Sequence, residues 1–373
     1  MRQGLTRRLI SSSLFLLAVL PGVAAAQSQG VTLDDAWADC TELPDYKVMQ
    51  LDYLSEENII ATVFDVRSGF VPGDPRESAV AVGGSFGPFI TVGGFDYSFN
   101  QAVTYGGDGS LVDIGATVIS EAHGVNSKQT VVGFATGAPV GSYKAFRYDQ
   151  GVWTLLPGLG ASTSNAMAVN DSGIIVGYDS SGWGHSTAVY WTPDKQVHPL
   201  LPDASSSELY AINNRNVAVG YVAFGVNGQH QACSLELGGS KQLTLLPAPF
   251  AVNEGAWAQS INDRGVIVGI ASKGGAYQPV MWKAGQAFAL PVLPNEGSGG
   301  ARANDINHKG VIVGNSNWGK AVVWIGGQIH DLNELVPSSP FFLTNAVAIN
   351  DEGVIACHAD NGVRTAVLLI PQG

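Results

Sequence analysis

Residues 260–269 read SINDRGVIVG, and residues 305–314 read DINHKGVIVG. Both consist of a hydrophobic residue, an asparagine, a short polar turn and a Val- and Ile-rich run. Four further copies follow this order: GVNSKQTVVG at 124–133, AVNDSGIIVG at 168–177, AINNRNVAVG at 211–220 and AINDEGVIAC at 348–357. We interpret AVAVGGSFGPFITVGG at 79–94 as a degenerate first copy, with Gly83 at the asparagine position. Seven copies at intervals of 43 to 49 residues indicate an internal structural repeat.

Each repeat predicts four short strands, which we call a to d. Strand a ends at an anchor residue, which is Gly83 in the first copy and an asparagine in the others: Asn126, Asn170, Asn213, Asn262, Asn307 and Asn350. The anchor asparagine is the first residue of an Asn-Asp-x-Gly phrase, which favours a tight hairpin turn. Strand b is the Ile-Val-Gly run, strand c an Ala-x-x-aromatic phrase, and strand d ends near a Leu-Pro pair. Four strands in each of seven repeats predict an all-β fold, a seven-bladed β-propeller of four-stranded blades.

The ring is predicted to close through the N-terminal part of the chain. The last copy lacks strand d, and residues 46–51 (YKVMQL) form an unassigned alternating strand that can supply it. Closure in this way removes exposed sheet edges between the first and last repeats. An open solenoid or a six-bladed ring is the alternative. Residues 52–77 fit no position of the repeat and are left as an extra strand or a flap.

Recurring polar and aromatic residues each allow two interpretations. The Asn-Asp pairs are a ring of ligands or, as we expect, turn residues. The aromatic residues of strand c are a stacking platform or, as we expect, pack between blades, since they recur at one strand register. The members of this aromatic set are Tyr105, Tyr148, Trp191, Trp282 and Trp324.

The N-terminal residues have the layout of a secretory signal peptide. Arg2, Arg7 and Arg8 precede an apolar run, and Ala24-Ala25-Ala26 supplies a small-residue cleavage site. We expect residues 1–26 to be removed, 27–45 to form a lead segment and 46–373 to form the propeller. An uncleaved anchor helix is the alternative, although Pro21 interrupts the run. The protein is therefore predicted to be exported, to the periplasm or the outside of the cell.

Charge and composition narrow the classes of partner. The chain carries 31 acidic and 19 basic residues, a net charge of −12, and three of its arginines fall in the predicted signal. An acidic surface repels phosphate backbones, so nucleic-acid binding is disfavoured. No later segment approaches the length of a membrane span. We expect a monomer whose partner is a glycan or a protein.

The repeats resemble the HAF repeats of bacterial exported proteins. The resemblance covers roughly residues 78–370 and rests on the recurring Asn-Asp-x-Gly-x-Ile-Val-Gly phrase. The tripeptide that names the family does not occur literally, and its nearest match is Lys144-Ala145-Phe146. The resemblance implies an extracellular location and a propeller-like architecture, and it supplies no catalytic residue.

The loops between strands b and c carry the candidate binding residues. These loops are long, weakly charged and rich in aromatic residues among Gly, Ser and Asn, which suits stacking on sugar rings or gripping a peptide. Packing of the same rings over loop tips is the alternative. The candidates are Trp183, His185, Tyr221, Phe224, His230, Tyr277 and Trp318.

Catalysis is the weaker functional interpretation. Nucleophile-elbow, P-loop and dinucleotide motifs do not occur, so no cofactor is predicted. The seven histidines are scattered, and no metal site is predicted. Glu208, Glu254 and Glu296 in the d–a connections are candidate acids of a secreted hydrolase or lyase. A structural component of the cell surface is a third possibility.

Two cysteines are predicted to meet in the closing blade. Cys40 precedes the closing strand and Cys357 lies in strand b of the last copy. An oxidising compartment permits a disulfide between them, which we state as a hypothesis. Cys233 is expected to be a buried small hydrophobic residue.

Overall fold

A computed structural model describes residues 43–52, 60–69, 80–92, 95–115, 119–136, 142–161, 163–181, 185–225, 228–239, 241–250, 254–296 and 300–372. Strand β1 (Asp45–Gln50) belongs to the last blade. Blade 1 contains β2 (Ile60–Val66), β3 (Ala81–Val92), β4 (Phe95–Tyr105) and β5 (Leu111–Asp113). Blade 2 contains β6 (Ser120–Val125), β7 (Val131–Thr136), β8 (Tyr143–Asp149) and β9 (Val152–Leu155). Blade 3 contains β10 (Thr163–Val169), β11 (Ile175–Ser180), β12 (Ser186–Trp191) and β13 (Val197–Pro199).

The remaining blades follow the same plan. Blade 4 contains β14 (Ser206–Ile212), β15 (Val217–Ala223), β16 (Gln231–Glu236) and β17 (Leu243–Leu245). Blade 5 contains β18 (Ala256–Ile261), β19 (Ile267–Lys273), β20 (Ala276–Lys283) and β21 (Gln286–Ala289). Blade 6 contains β22 (Arg302–Ile306), β23 (Ile312–Asn315), β24 (Ala321–Ile325) and β25 (Gln328–Asp331), followed by the short helix α1 (Leu332–Leu335). Blade 7 contains β26 (Phe342–Ile349), β27 (Ile355–Asp360) and β28 (Arg364–Gln372).

Seven four-stranded antiparallel sheets make up the described part of the chain, and each follows the strand order a-b-c-d. This confirms the seven-bladed β-propeller. Blade 7 has the order β1-β28-β27-β26, so the N-terminal strand supplies the missing strand d as predicted. Leu51, directly after β1, is fully buried in the core shared with blade 1. The two ends of the chain therefore close the ring in one sheet.

Blade 1 corrects two expectations from the sequence. Its strand a is β2, which lies within the segment 52–77 that fitted no position of the repeat. Gly83 lies in strand b and is not at the asparagine position. That position belongs to Arg67, whose carbonyl accepts a hydrogen bond from the Asn350 side chain at 3.0 Å, as the other anchor carbonyls do. Because Arg67 replaces the asparagine in the first repeat, the sequence pattern points to Gly83 instead.

A glycine in strand b lets strand a approach closely. A Cβ atom on Gly220 would lie 1.9 Å from the carbonyl oxygen of Glu208, which no real structure tolerates. Five other strand-b glycines face the same conflict: Gly83, Gly133, Gly177, Gly269 and Gly314. Blade 7 has Cys357 there, and its strand a carries a second register shift between Leu343 and Asn345. That shift accompanies the larger side chain.

Every strand a also contains a β-bulge three residues before its anchor. Such a bulge places one extra residue on the bulged strand and turns its side chain away from the regular pattern. The bulge residues line a central channel with a cavity of about 290 Å³. They are Phe64, His123, Met167, Tyr210, Gln259, Asn304 and Val347.

The asparagines are turn residues, as expected, and they also join the blades. The Asn213 Oδ1 atom accepts hydrogen bonds from the backbone N–H groups of Arg215 and Val217 within its own turn. Its Nδ2 atom donates to the carbonyl of Asn262 in the next blade at 3.1 Å. The same link to the next anchor is made by Asn126, Asn170, Asn262, Asn307 and Asn350.

Aromatic side chains of strand c pack between blades, as predicted. Trp191 and Trp324 are fully buried, and each indole N–H donates to a proline carbonyl of the preceding blade, at 2.7 Å to Pro157 and 2.8 Å to Pro291. Indole burial with a satisfied N–H is the stable arrangement for tryptophan in a core. Because the partner carbonyl follows strand d, these contacts fasten the outer edges of neighbouring blades.

Cys233 and Cys357 are both fully buried. Burial raises the pKa of each thiol, to about 12 for Cys233. Cys40 lies outside the described residues, so the disulfide with Cys357 stays a prediction. Among the residues that the structure describes, no helix is long and apolar enough to cross a membrane.

Candidate ligand-binding mouth of the central channel

The channel has two different ends. One is lined by the asparagine turns, including Asp171, Asn214, Asp263 and Asp351. At the other end, strand a begins and the b–c and d–a connections emerge. We call this end the mouth. It carries one residue from each blade at the position five residues before the anchor, and these mouth-ring residues are Thr62, Glu121, Asn165, Glu208, Trp257, Arg302 and Asn345.

A continuous run of ring contacts crosses the mouth from blade 4 to blade 5. The ring centroids of Tyr210 and Tyr221 are 6.0 Å apart, and those of Tyr221 and His230 are 4.2 Å apart. His230 and Trp257 are 5.3 Å apart, and the indole N–H of Trp257 donates to His230 Nδ1 at 3.0 Å. Burial lowers the pKa of His230, which favours the neutral ring that this acceptor role requires.

The run continues from Trp257 to Tyr277 within blade 5, and a cation from blade 6 contacts its end. The ring of Tyr277 lies 5.6 Å from that of Trp257, nearly perpendicular to it at 86°. The guanidinium of Arg302 lies over the other end of the run, with its Cζ atom 4.9 Å from the Tyr277 centroid. This distance is within the range of a cation–π interaction. The mouth therefore presents aromatic rings fixed by their neighbours.

A second run of ring contacts connects blades 7, 1 and 2. Phe64 contacts both His358 and His123, with centroids 6.3 and 5.2 Å apart. His123 contacts Phe134 at 5.5 Å, and Phe134 contacts Tyr143 at 5.1 Å. The run ends at a cavity of about 230 Å³ in blades 2 and 3. Its lining residues are Phe134, Tyr143, Thr163, Ser164, Asn165 and Tyr178.

Glu208 lies among three tyrosines and is half-buried. Its Oε2 atom accepts a hydrogen bond from the Tyr210 hydroxyl at 3.0 Å. Burial raises the pKa of Tyr221 to about 12, and the negative charge of Glu208 contributes to this rise. Burial and then the same charge also raise the pKa values of Tyr178 and Tyr210. All three hydroxyls therefore remain protonated, which is the opposite of what a tyrosine nucleophile requires.

The second mouth-ring carboxylate, Glu121, is held by two neighbours. Its Oε2 atom lies 3.1 Å from His123 Nε2, and its Oε1 atom accepts a hydrogen bond from the Asn100 side chain. Asn165 lies between Glu121 and Glu208 in the mouth ring. Its Oδ1 atom is buried and has no hydrogen-bond donor in the described part of the chain. The mouth is thus electronegative on the side of blades 2 to 4.

Three of the predicted binding residues come together in this mouth. Tyr221, His230 and Tyr277 belong to the first run of rings, although Tyr221 is buried in β15 and not exposed in a loop. Phe224 is 43% exposed. His185 is exposed directly before β12, and its carbonyl accepts a hydrogen bond from the Ser180 hydroxyl at 3.2 Å.

The two tryptophans of the prediction do not join this run. Trp183 lies outside the described residues. Trp318 is 65% exposed, and its backbone N–H donates to Glu296 at 3.3 Å. Within the described ranges its ring makes no aromatic contact.

The sequence interpretation missed Tyr210 and Trp257 as candidates. Both lie in strand a, whereas the predicted binding residues were sought in the loops between strands b and c. A signal for them is present, because positions three and five before each anchor vary in chemistry within an otherwise constant phrase. In a repeat protein, variable positions in a constant frame often mark the binding face.

The three candidate acids lie at different places in the fold and have different local contacts. Glu208 lies in β14, contrary to the expectation of a d–a connection. Glu254 accepts a hydrogen bond from the Gly274 backbone at 2.7 Å, and Glu296 is buried 3.6 Å from Lys320 Nζ. These contacts occupy Glu254 and Glu296 in local structure. No group of three or more His, Cys, Asp or Glu side chains within the described ranges is placed to hold a metal.

No protein-family model matches the chain, and no curated protein matches it. Among solved structures, TolB from Acinetobacter baumannii is similar, with 12% identity and a TM-score of 0.43 over 81% of this chain and 66% of that one. YCF48 bound to a D1 peptide is similar with 11% identity and a TM-score of 0.46 over 91% of this chain and 98% of that one. The propeller assignment rests on the sheet topology, and the resemblance to HAF repeats stays a prediction.

Proposed function

We propose that this protein is an exported binding module that takes a peptide segment of a partner protein at the mouth of its channel. The observation that carries the proposal is the run of ring contacts from Tyr210 to Tyr277, which spans blades 4 and 5. Rings already held by their neighbours lose little conformational entropy when a ligand stacks on them. They also offer large apolar faces beside polar edges.

Two features of the mouth favour binding over catalysis. The three tyrosines beside Glu208 have raised pKa values, because of burial and the charge of that carboxylate. A glycosidase needs two carboxyl groups that face one bond. Glu254 and Glu296, the other candidate acids, are engaged in local hydrogen bonds and ion pairs. A structural role at the cell surface would need no such mouth.

Export remains part of the proposal through residues 1–26, whose pattern is that of a signal peptide. The mature protein would then act in the periplasm or outside the cell. N-terminal sequencing of the protein purified from its native envelope tests this part, with Gln27 expected as the first residue. A mature protein that still begins at Met1 would contradict it.

The binding proposal is tested by screening the full-length mature chain on a peptide array and a glycan array. The matched variants are Trp257→Ala, which removes a ring from the run, and Trp318→Ala, which removes an exposed ring outside it. We expect peptide binding that Trp257→Ala reduces at least tenfold and Trp318→Ala leaves unchanged. Binding to glycans alone would replace the peptide by a sugar ligand. Binding that only Trp318→Ala reduces would place the site elsewhere.

A further inference from the structure

Glu208 is a half-buried carboxylate without a cationic partner. Among the described residues no Lys, Arg or His nitrogen lies within ion-pair distance of it, whereas Glu121 contacts His123 and Glu296 contacts Lys320. In the described residues its hydrogen-bonding partners are neutral hydroxyls, those of Tyr210 at 3.0 Å and of Tyr221. A carboxylate that loses part of its hydration is stabilised by a nearby positive charge. His230 lies close enough for the charge of Glu208 to act on it, but burial lowers the pKa of His230 and favours the neutral ring. No Lys or Arg among the described residues forms an ion pair with Glu208.

The surroundings of Glu208 suit a cation. Tyr178, Tyr210 and Tyr221 lie close enough to feel its charge, and aromatic faces attract cations through their quadrupole. Asn165, next in the mouth ring, has a buried Oδ1 atom without a donor in the described residues. An unpaired buried acceptor is costly unless a donor reaches it. This side of the mouth therefore offers a negative charge without a Lys or Arg partner, three tyrosines close to that charge and one unused acceptor.

Blade 6 shows a cation in the equivalent place. Arg302 occupies the mouth-ring position there, five residues before Asn307, as Glu208 lies five residues before Asn213. The guanidinium of Arg302 stacks on Tyr277 at 4.9 Å. The geometry of the mouth ring thus accommodates a guanidinium on a tyrosine face. Around Glu208, Tyr210 and Tyr221 of blade 4 and Tyr178 of blade 3 are present, but the mouth-ring residue is an acid and the described residues place no Lys or Arg beside it.

We infer that Glu208, Tyr178, Tyr210, Tyr221 and Asn165 form a subsite for a hydrogen-bonding cation, the ammonium of a lysine or the guanidinium of an arginine in a peptide ligand. This inference rests on the proposed function and names its ligand chemistry. The carboxylate forms an ion pair with the cation, the rings contact its stem or its plane, and Asn165 Oδ1 accepts one of its N–H groups. A quaternary ammonium has no N–H and leaves that acceptor unpaired. The net charge of −12 favours approach of basic ligands.

The test uses small probes on the mature chain. The probes are N-acetyl-arginine amide, N-acetyl-lysine amide, the neutral isostere N-acetyl-citrulline amide, and tetramethylammonium. Their binding is measured by ligand-observed NMR titration. We expect binding of the arginine or lysine probe in the millimolar range, and at least tenfold weaker binding of citrulline amide and tetramethylammonium. If the citrulline amide binds as tightly as the arginine amide, the proposed ion pair with Glu208 is wrong. If tetramethylammonium binds more tightly than the arginine and lysine probes, the proposed hydrogen bond to Asn165 is wrong.

Three variants locate the subsite. Glu208→Gln keeps the shape and removes the charge, and it is expected to weaken the cationic probes at least tenfold. Glu208→Arg reproduces the residue of blade 6 and is expected to abolish their binding. Glu236→Gln changes an exposed acid of the same blade at the end of β16 near the asparagine turn, and it is expected to have no effect. Unchanged binding by both Glu208 variants, with the melting temperature kept, would overturn the inference.

The outcomes also separate this inference from the proposed function. If Trp257→Ala abolishes binding of an array peptide while Glu208→Gln leaves both that peptide and the cationic probes bound, the mouth binds peptides but the subsite assignment is wrong. If no array ligand depends on Trp257, the proposed function fails, and the subsite falls with it as a peptide site.

Discussion

The side-chain amide of Asn350 donates a hydrogen bond to the main-chain carbonyl of Arg67 at 3.0 Å, although 283 residues separate them. The contact joins blade 7 to blade 1. It is equivalent to the contact of Asn213 with Asn262, and four more asparagines repeat it around the turn end of the channel. A residue chosen for its turn geometry therefore also holds each blade to the next.

Replacement of one anchor asparagine by alanine should reduce the stability of the protein by more than the loss of one turn contact would. Asn213→Ala removes the acceptor of the Arg215 and Val217 N–H groups and one of the two donors to the Asn262 carbonyl, which keeps the Gly265 N–H. We expect a loss of about 2 kcal/mol in the free energy of unfolding. Denaturant unfolding measures it. The control is Arg215→Ala, an exposed residue of the same turn, for which we expect less than about 0.5 kcal/mol. Equal effects would mean that the inter-blade bond contributes nothing.

A methyl group on Gly220 should disrupt blade 4. Its Cβ atom would lie 1.9 Å from the carbonyl oxygen of Glu208, so strands a and b must separate. Gly220→Ala is expected to destabilise the protein by about 3 kcal/mol or more, as measured by thermal unfolding. Gly238→Ala is the control, since a Cβ there meets no atom within 4 Å. A variant at Gly220 as stable as the control would show that the strands are not packed this closely.

The stability of the protein should depend on pH through Asp65. Burial raises the pKa of Asp65 from 3.8 to about 7, and the charge of Asp305 contributes to the rise. The folded state then binds a proton that the unfolded state releases, so stability falls as the pH rises from about 4 to about 7. Asp65→Asn should reduce this fall. Urea unfolding at pH 4.5 and pH 8 measures it, and an equal fall in the wild type and the variant would contradict the assignment.

The closing strand should be essential for stability. A chain that begins at residue 52 lacks β1 and exposes the core that Tyr46, Val48 and Leu51 cover. Burial of such side chains contributes about 1.5–3 kcal/mol each, so we expect a loss of roughly 5 kcal/mol or more. Calorimetry measures the change, and a chain that begins at residue 43 and keeps β1 is the control. If both chains melt at the same temperature, β1 does not hold the ring closed.

Repetition made most of the fold predictable from the sequence. Turn asparagines and strand-c tryptophans recur at fixed spacing, so each copy supports the strand assignment made for the others. The first blade was misread where Arg67 replaces the asparagine, because the pattern then offered Gly83 as a false anchor. The closing strand was predicted because a count of four strands per blade left one place empty.

The mouth was only partly predictable. Tyr221, His230 and Tyr277 were named for their place near the b–c loops, but Tyr210 and Trp257 were not. A β-bulge interrupts the alternation of strand a, so the side that Tyr210 faces does not follow from the period of two. Contacts between blades, such as that of Trp257 with His230, depend on how neighbouring sheets are staggered. One repeat sequence carries no information on that stagger.

Hydrogen–deuterium exchange with and without the strongest array ligand tests the central claim most directly. We predict that the ligand slows exchange in residues 206–210, 221–231, 254–258 and 276–278, which carry the rings of the mouth. Exchange at the asparagine turns, such as 213–217, should stay unchanged. Protection confined to the turn end of the channel, or to the outer strands, would contradict a binding site at the mouth.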